Sequence, residues 1–193
     1  MARLAIFAYG SLASLASAER TLGRPVEHAA AARLPGWRRR WSTVRDNLAL
    51  EKTFARPEDG TLPPFCLGLN LERAAGPAPN GVLVEVTEEE LERLGRRELR
   101  YDRVEVSDEV ATADSHPYER VVTFTAKTEN FAPRPPAGAV ILAPYARAVE
   151  AAFDALGPGE LDLFHATTGP YPVEVIEAVL VHDEIPAGNP RDW

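Results

Sequence analysis

Frequent prolines and glycines limit the length of the elements that this chain can form. Its 193 residues include 17 prolines and 13 glycines. A proline inside a helix removes a hydrogen bond and clashes with the preceding turn, and a glycine there costs about 1 kcal/mol relative to alanine. The sequence therefore predicts many short elements joined by turns, and long helices are not expected.

Composition is that of an ordinary globular domain. Hydrophobic residues make up 45% of the chain and charged residues 26%, which is enough apolar surface for a core. This length suits one domain, so we expect residues 1–193 to form a single domain with an irregular tail over residues 186–193. The formal net charge of −8 repels polyanions, so neither nucleic acid nor a membrane surface is an expected partner.

Few side chains are available to hold a metal or a cofactor. Cys66 is the only cysteine, which rules out an internal disulfide and a thiolate metal cluster. The four histidines are far apart and lack the spacing of metal ligands. We therefore expect no metal, no cofactor and a cytoplasmic location. The apolar residues 4–8 are too few for a membrane helix and are interpreted as a buried strand.

Hydrophobic periodicity and turn residues predict an alternation of strands and helices. Strands are predicted over residues 4–9, 37–44, 65–70, 81–86, 101–106, 120–126 and 173–181. Helices are predicted over residues 14–22, from a cap at Thr87 through Leu94, and over residues 145–156. The order lacks regular βαβ spacing. It favours an α+β fold, with a mixed β-sheet or small β-barrel and a few packed helices.

The turn Tyr9-Gly10-Ser11-Leu12 ends the first strand and is a candidate binding site. Gly10 allows a sharp turn and presents no side chain to a ligand. Successive backbone N–H groups in such a turn can bind a carboxylate or an oxyanion. The alternative is a plain strand-to-helix connection. The spacing of glycines fits neither a dinucleotide loop nor a phosphate loop.

Glu98 is a candidate acid/base residue. Leu91, Leu94 and Glu98 share one face of a helix, so the carboxylate points inward if the helix continues past Gly95. A buried carboxyl group suits a residue that takes a proton and returns it. The alternative is that the helix ends at Gly95 and Glu98 pairs with a neighbouring arginine. These arginines are Arg96, Arg97 and Arg100.

Residues 37–41 combine two tryptophans with three arginines. Such a cluster can be a nucleic-acid patch, but the acidic chain favours a strand edge or a group that meets a substrate carboxylate. The sequence does not distinguish among the three arginines. No Gly-x-Ser-x-Gly motif supports a serine hydrolase.

Two segments together resemble the γ-glutamylcyclotransferase-like family. They are Phe7-Ala8-Tyr9-Gly10-Ser11-Leu12 and residues 81–101, which run from a strand through a leucine-bearing helix to Glu98 and Tyr101. The resemblance implies that Tyr9, Gly10, Ser11 and Leu12 hold the substrate and that Glu98 is the catalytic acid/base. It also implies substrate contacts for Tyr101 and for Tyr145 on a late helix. The implied reaction converts a γ-glutamyl amine or peptide to 5-oxoproline and a free amine, without a cofactor.

Two positions depart from the family's pattern. Leu12 stands where some members have Asn, and Leu99 stands where a Gly often follows the catalytic Glu. These departures support an alternative, a non-catalytic binding or regulatory protein that uses the same pocket. The leaving amine and the oligomeric state stay open. The loops over residues 54–64 and 127–136 are expected to shape the pocket beyond the glutamyl group.

Overall fold

The computed structural model of the chain describes residues 3–49 and 51–184. The strands are β1 (Leu4–Ala8), β2 (Ala29–Arg33), β3 (Trp37–Asp46), β4 (Lys52–Ala55), β5 (Phe65–Arg73), β6 (Asn80–Val86), β7 (Tyr101–Glu105), β8 (Arg120–Ala126), β9 (Ala139–Leu142), β10 (Val175–Ile176) and β11 (Val179–Asp183). The helices are α1 (Leu15–Leu22), α2 (Glu88–Arg97), α3 (Ala143–Ala155) and α4 (Glu160–Thr167), with short 3-10 helices at Ser11–Ala13 and Thr128–Asn130. The irregular tail expected over residues 186–193 lies outside the described residues.

The strands form three sheets. A five-stranded sheet has the order β2-β6-β1-β8-β7, a four-stranded sheet has the order β10-β9-β5-β3, and β11 pairs with β4. Strand β1 is antiparallel to β6 and parallel to β8, so the sheet is mixed, as expected. Within the described residues no sheet pairs its first strand with its last. The small-barrel part of the expectation is therefore not supported.

Local signals placed most of the elements correctly. The strand predicted over residues 120–126 matches β8, and α1 lies between the cap Ser14 and the left-handed Gly23, whose φ is 75°. Helix α2 begins with the expected capping box of Thr87 and Glu90. The longest helix, α3, has 13 residues. No helix in the described part of the chain is long and apolar enough to span a membrane.

The prediction of one final strand over residues 173–181 is wrong. This stretch forms two short strands in different sheets, because Val175–Ile176 pair with β9 whereas β11 pairs with β4. Three other strands and one helix carried no recognised signal. They are β2, β4, β9 and α4.

Residues 37–41 belong to β3, where successive side chains point to opposite faces of the sheet, and three of the five are buried. Trp37, Arg39 and Trp41 are buried, whereas Arg38 and Arg40 both lie against the carboxylate of Glu72. The Arg39 guanidinium stacks on two phenylalanine rings and donates to Asn80 O at 2.7 Å. Burial lowers the pKa of Arg39 to about 9. Three of the five residues are thus part of the core, and none of the three arginines lines a cavity described below.

Candidate active site

The turn after β1 leads into the short 3-10 helix that begins at Ser11. Gly10 has φ −134° and ψ −134°, and its carbonyl accepts a bond from Ala13 N at 2.9 Å. The N–H groups of Ser11 and Leu12 donate to no acceptor within the described residues, as is usual at a helix start. They are therefore available to a ligand.

Tyr9 anchors this turn to the five-stranded sheet. Its hydroxyl donates to Phe124 O at 2.7 Å, and its carbonyl accepts from Arg39 Nη1 at 3.2 Å. Burial raises the pKa of Tyr9 well above 10, so the phenol stays neutral and serves as a donor.

Glu98 lies immediately after α2, as its C-cap. The helix runs through Gly95, and Glu98 N donates to Leu94 O at 2.8 Å. The Glu98 side chain is only 12% exposed, and its Oε1 is 3.2 Å from Arg97 Nε. Both interpretations of the sequence thus hold in part, since the carboxylate points inward and is also paired with a neighbouring arginine.

Arg97 connects Glu98 to the helix that follows the turn. Its Nη1 donates to Ser17 O at 3.0 Å and to Thr21 Oγ1, and its Nη2 donates to Ser17 Oγ at 2.9 Å and lies 3.5 Å from Ser11 Oγ. Sequence reasoning considered Arg97 only as an ion-pair partner. Its polar contacts on α1 are distant in sequence, and no local pattern predicts them.

Two tyrosines lie beside the main chain of Leu69 on β5. Tyr101 donates its hydroxyl to Leu69 O at 2.8 Å, and the Tyr145 hydroxyl lies 3.5 Å from Leu69 N. A Cβ placed on Gly10 would lie 3.6 Å from the Tyr145 hydroxyl. The bare backbone of Gly10 therefore faces the tyrosine across a narrow space.

These elements line a cavity of about 400 Å³, counted with its open side, which we call the inner cavity. All seven residues that the sequence singled out line it. They are Tyr9, Gly10, Ser11, Leu12, Glu98, Tyr101 and Tyr145. The structure brings them together, and their roles stay predictions.

An outer cleft of about 730 Å³, including its open mouth, adjoins the inner cavity. The two share four wall residues: Ser11, Glu98, Tyr101 and Tyr145. Four cations also line the outer cleft: Arg45, Lys52, Arg97 and Arg100. Sequence reasoning missed Arg45 and Lys52, because they reach the cleft from strands far from Glu98 in sequence.

The expected pocket loops contribute little. Of residues 54–64 only Phe54 lines the outer cleft, and residues 127–136 line neither cavity. Of the two departures from the family's pattern, Leu12 lines the inner cavity, whereas Leu99 is 40% exposed and lines neither. Within the described chain no group of three or more His, Cys, Asp or Glu side chains is placed to hold a metal ion.

Comparisons with known proteins connect this arrangement to a fold. No family model and no curated protein matches the chain. A structure named gamma-glutamyl cyclotransferase is similar at 17% identity and a TM-score of 0.58, over 91% of this chain and 94% of that one. An uncharacterized protein from Homo sapiens is similar at 16% identity and a TM-score of 0.60, over 92% and 95%. A yeast gamma-glutamyl cyclotransferase specific to glutathione is similar at 14% identity and a TM-score of 0.54, over 87% and 98%.

The chain therefore has the fold of the γ-glutamyl cyclotransferases. At these identities the likeness concerns the fold alone.

Proposed function

We propose that this protein is a cofactor-free enzyme that cyclises a γ-glutamyl amine or peptide to 5-oxoproline and a free amine. One observation carries the proposal. Among the described residues that line the two cavities Glu98 is the only carboxylate, and it lies in the wall that they share. A group in that position reaches both a glutamyl unit in the inner cavity and a leaving amine in the outer cleft.

The reaction needs no covalent enzyme intermediate, because the nucleophile belongs to the substrate. The α-amine attacks the γ-carbonyl carbon and its proton passes to Glu98. The resulting oxyanion accepts bonds from the N–H groups of Ser11 and Leu12. Glu98 then gives the proton to the leaving nitrogen, and the old C–N bond breaks as the carbonyl reforms.

Positioning is the other contribution of the site. A cavity that holds the γ-glutamyl chain in a bent conformation brings the substrate's amine close to the substrate's own carbonyl. Free substrate in solution loses conformational entropy when it adopts this conformation, and binding in the cavity removes that cost from the chemical step. The side chains that impose this shape are Tyr9, Tyr101 and Tyr145. The hydroxyls of Tyr9 and Tyr101 donate to main-chain carbonyls, and the hydroxyl of Tyr145 lies beside a main-chain N–H group.

The experiment is to incubate the purified protein with γ-glutamyl amino acids, γ-glutamyl amines and glutathione, and to measure 5-oxoproline by mass spectrometry. Release of 5-oxoproline from at least one compound is the expected result. No release from any of them contradicts the proposal.

A binding protein without turnover is the second candidate, because Leu12 lines the inner cavity where some members of the resembled family have Asn. Thermal stabilisation by 5-oxoproline or γ-glutamyl ligands in the absence of turnover would favour this candidate.

A further inference from the structure

Arg45 differs from the other cations of the outer cleft in its partners. Arg97 lies beside Glu98, Arg100 Nη2 is 2.7 Å from Glu51 Oε1, and Lys52 Nζ is 3.6 Å from Asp183 Oδ2. Within the described residues, no carboxylate lies within 4 Å of the Arg45 guanidinium. The cleft therefore carries one positive charge without an acidic neighbour.

The protein holds this guanidinium in a fixed place. Its Nη1 donates to Lys52 O at 2.5 Å, and its Nη2 donates to Asn47 Oδ1 at 2.8 Å and to Cys66 Sγ at 3.5 Å. The group also lies 5.1 Å from the centre of the Phe54 ring. A guanidinium has five N–H donors, so two of them have no acceptor among the described residues. A fixed cation with spare donors is preorganised for an anion, since little freedom is lost when the anion binds.

The position of Arg45 indicates which part of a substrate it meets. Arg45 lines the outer cleft and not the inner cavity, and Glu98 lies in the wall between the two. A substrate that places its γ-glutamyl unit in the inner cavity extends its leaving amine into the outer cleft, which Arg45 lines.

We propose that Arg45 binds a carboxylate on the leaving amine, and so selects γ-glutamyl amino acids and peptides over uncharged γ-glutamyl amines. This inference rests on the proposed function for its assignment of the two cavities. It makes Arg45 a specificity-determining residue of the site.

The test compares γ-glutamylglycine with γ-glutamylglycinamide. The two differ only in that the glycine carboxylate of the first is an uncharged amide in the second. Because a charge-assisted hydrogen bond is involved, we expect kcat/KM of the wild type to be about 10- to 100-fold higher for the acid. Arg45→Gln is expected to bring the ratio near one, and Arg45→Lys, which keeps the charge but not the fork of donors, to retain part of it. The matched control Arg38→Gln, at an exposed arginine paired with Glu72, is expected to keep the wild-type ratio. Circular dichroism checks that each variant is folded.

Three results overturn the inference. They are a wild-type ratio near one, a ratio that Arg45→Gln leaves unchanged, and, if that variant does not fold, a ratio that Arg45→Lys leaves unchanged. If the wild type turns over neither compound, calorimetric binding of the same two compounds decides instead, and the proposed function itself fails only if no γ-glutamyl compound of the wider panel releases 5-oxoproline. Tighter binding of the acid that is lost in the Arg45 variants supports the inference, whereas equal or absent binding overturns it.

Discussion

Arg97 joins three parts of the site through one guanidinium. It contacts α1 through Ser17 and Thr21, approaches Ser11 in the turn, and lies beside Glu98. Because it is almost fully buried, water cannot replace these bonds. The position of the proposed acid/base carboxylate therefore depends on Arg97.

Arg97→Met is expected to lower the free energy of unfolding by about 2–4 kcal/mol, because it leaves buried polar groups without partners. Urea denaturation measures the change. Arg20→Met, on the exposed face of α1, is the control and is expected to stay within about 0.5 kcal/mol of the wild type. Equal stability of the two variants would contradict this account of Arg97.

For individual residues, the sequence predicted those that follow the periodicity of a helix or strand and missed those that do not. The inward position of Glu98 was predicted because it continues the face of Leu91 and Leu94, and the structure places the side chain inward. Arg45 was not found. Its place in the cleft follows from the pairing of β3 with β5, which no local pattern specifies.

Helix α2 leads directly into Glu98, its C-cap, and the first turn of the helix is bonded to the loop after α1. Burial raises the pKa of Glu90, but hydrogen bonds from Arg24 and from Thr87 N outweigh it, so the pKa lies below 4.5. The Arg24 contacts measure 2.6 and 2.9 Å. A lowered pKa in the folded state means that the ionised group stabilises the fold above about pH 4.5 and that this contribution is lost as the pH falls through the folded pKa.

Glu90→Gln is therefore expected to lower the free energy of unfolding by an amount that depends on pH. The difference in unfolding free energy between the wild type and the variant should be constant from pH 7 to about pH 5 and shrink below pH 4.5. Urea denaturation across this range measures it. Glu89→Gln, in the same turn but with a side chain 87% exposed, controls for charge at the helix start. A difference that is as large at pH 3 as at pH 7 would be incompatible with the Arg24–Glu90 contact.

The pairing of β1 with β6 requires a glycine. A Cβ on Gly81 would lie 2.5 Å from Ala8 O and 2.7 Å from Phe7 Cζ, and β1 cannot move away because it is the central strand of its sheet. Gly81→Ala is expected to cost about 1–3 kcal/mol of stability by overpacking.

Gly10→Ala is the matched control, because its Cβ would make only ordinary contacts, the nearest at 3.6 Å. Thermal and urea unfolding of the two variants measure the contrast. A Gly81→Ala protein as stable as the Gly10→Ala protein would rule out the close approach of β1 to β6.

Elements with strong local signals were predicted and short ones were missed. Strand β9 has four residues and β4 has four, too few to establish a period against the background of loops. Strand β2 is mostly alanine, which has low strand propensity, and it exists because β6 offers it an edge.

The site forms only where the two larger sheets meet. The five-stranded sheet supplies the turn after β1 and Tyr101 on β7, whereas the other sheet supplies Arg45 on β3 and leads from β9 into the helix that carries Tyr145. The sequence predicted a mixed α+β fold from its order of elements. It could not predict which strands meet, because those contacts join residues far apart in the chain.

Charge is distributed unevenly over the whole molecule. The chain has a formal net charge of −8, yet in the part of the chain that the structure describes four cations and one carboxylate line the outer cleft. Three of these cations lie beside carboxylates, so the attraction for an anionic substrate is concentrated at Arg45. This agrees with the proposed substrates, in which an anionic leaving group follows the γ-glutamyl unit.

The central claim is that Glu98 transfers the proton during cyclisation, and the rate of 5-oxoproline release by Glu98→Gln tests it most directly. Glutamine is close to glutamate in size but cannot accept and return a proton. The account predicts a loss of about 100- to 10,000-fold in kcat relative to the wild type, with Glu89→Gln unchanged as the control. A Glu98→Gln protein that is folded and releases 5-oxoproline at the wild-type rate would contradict it.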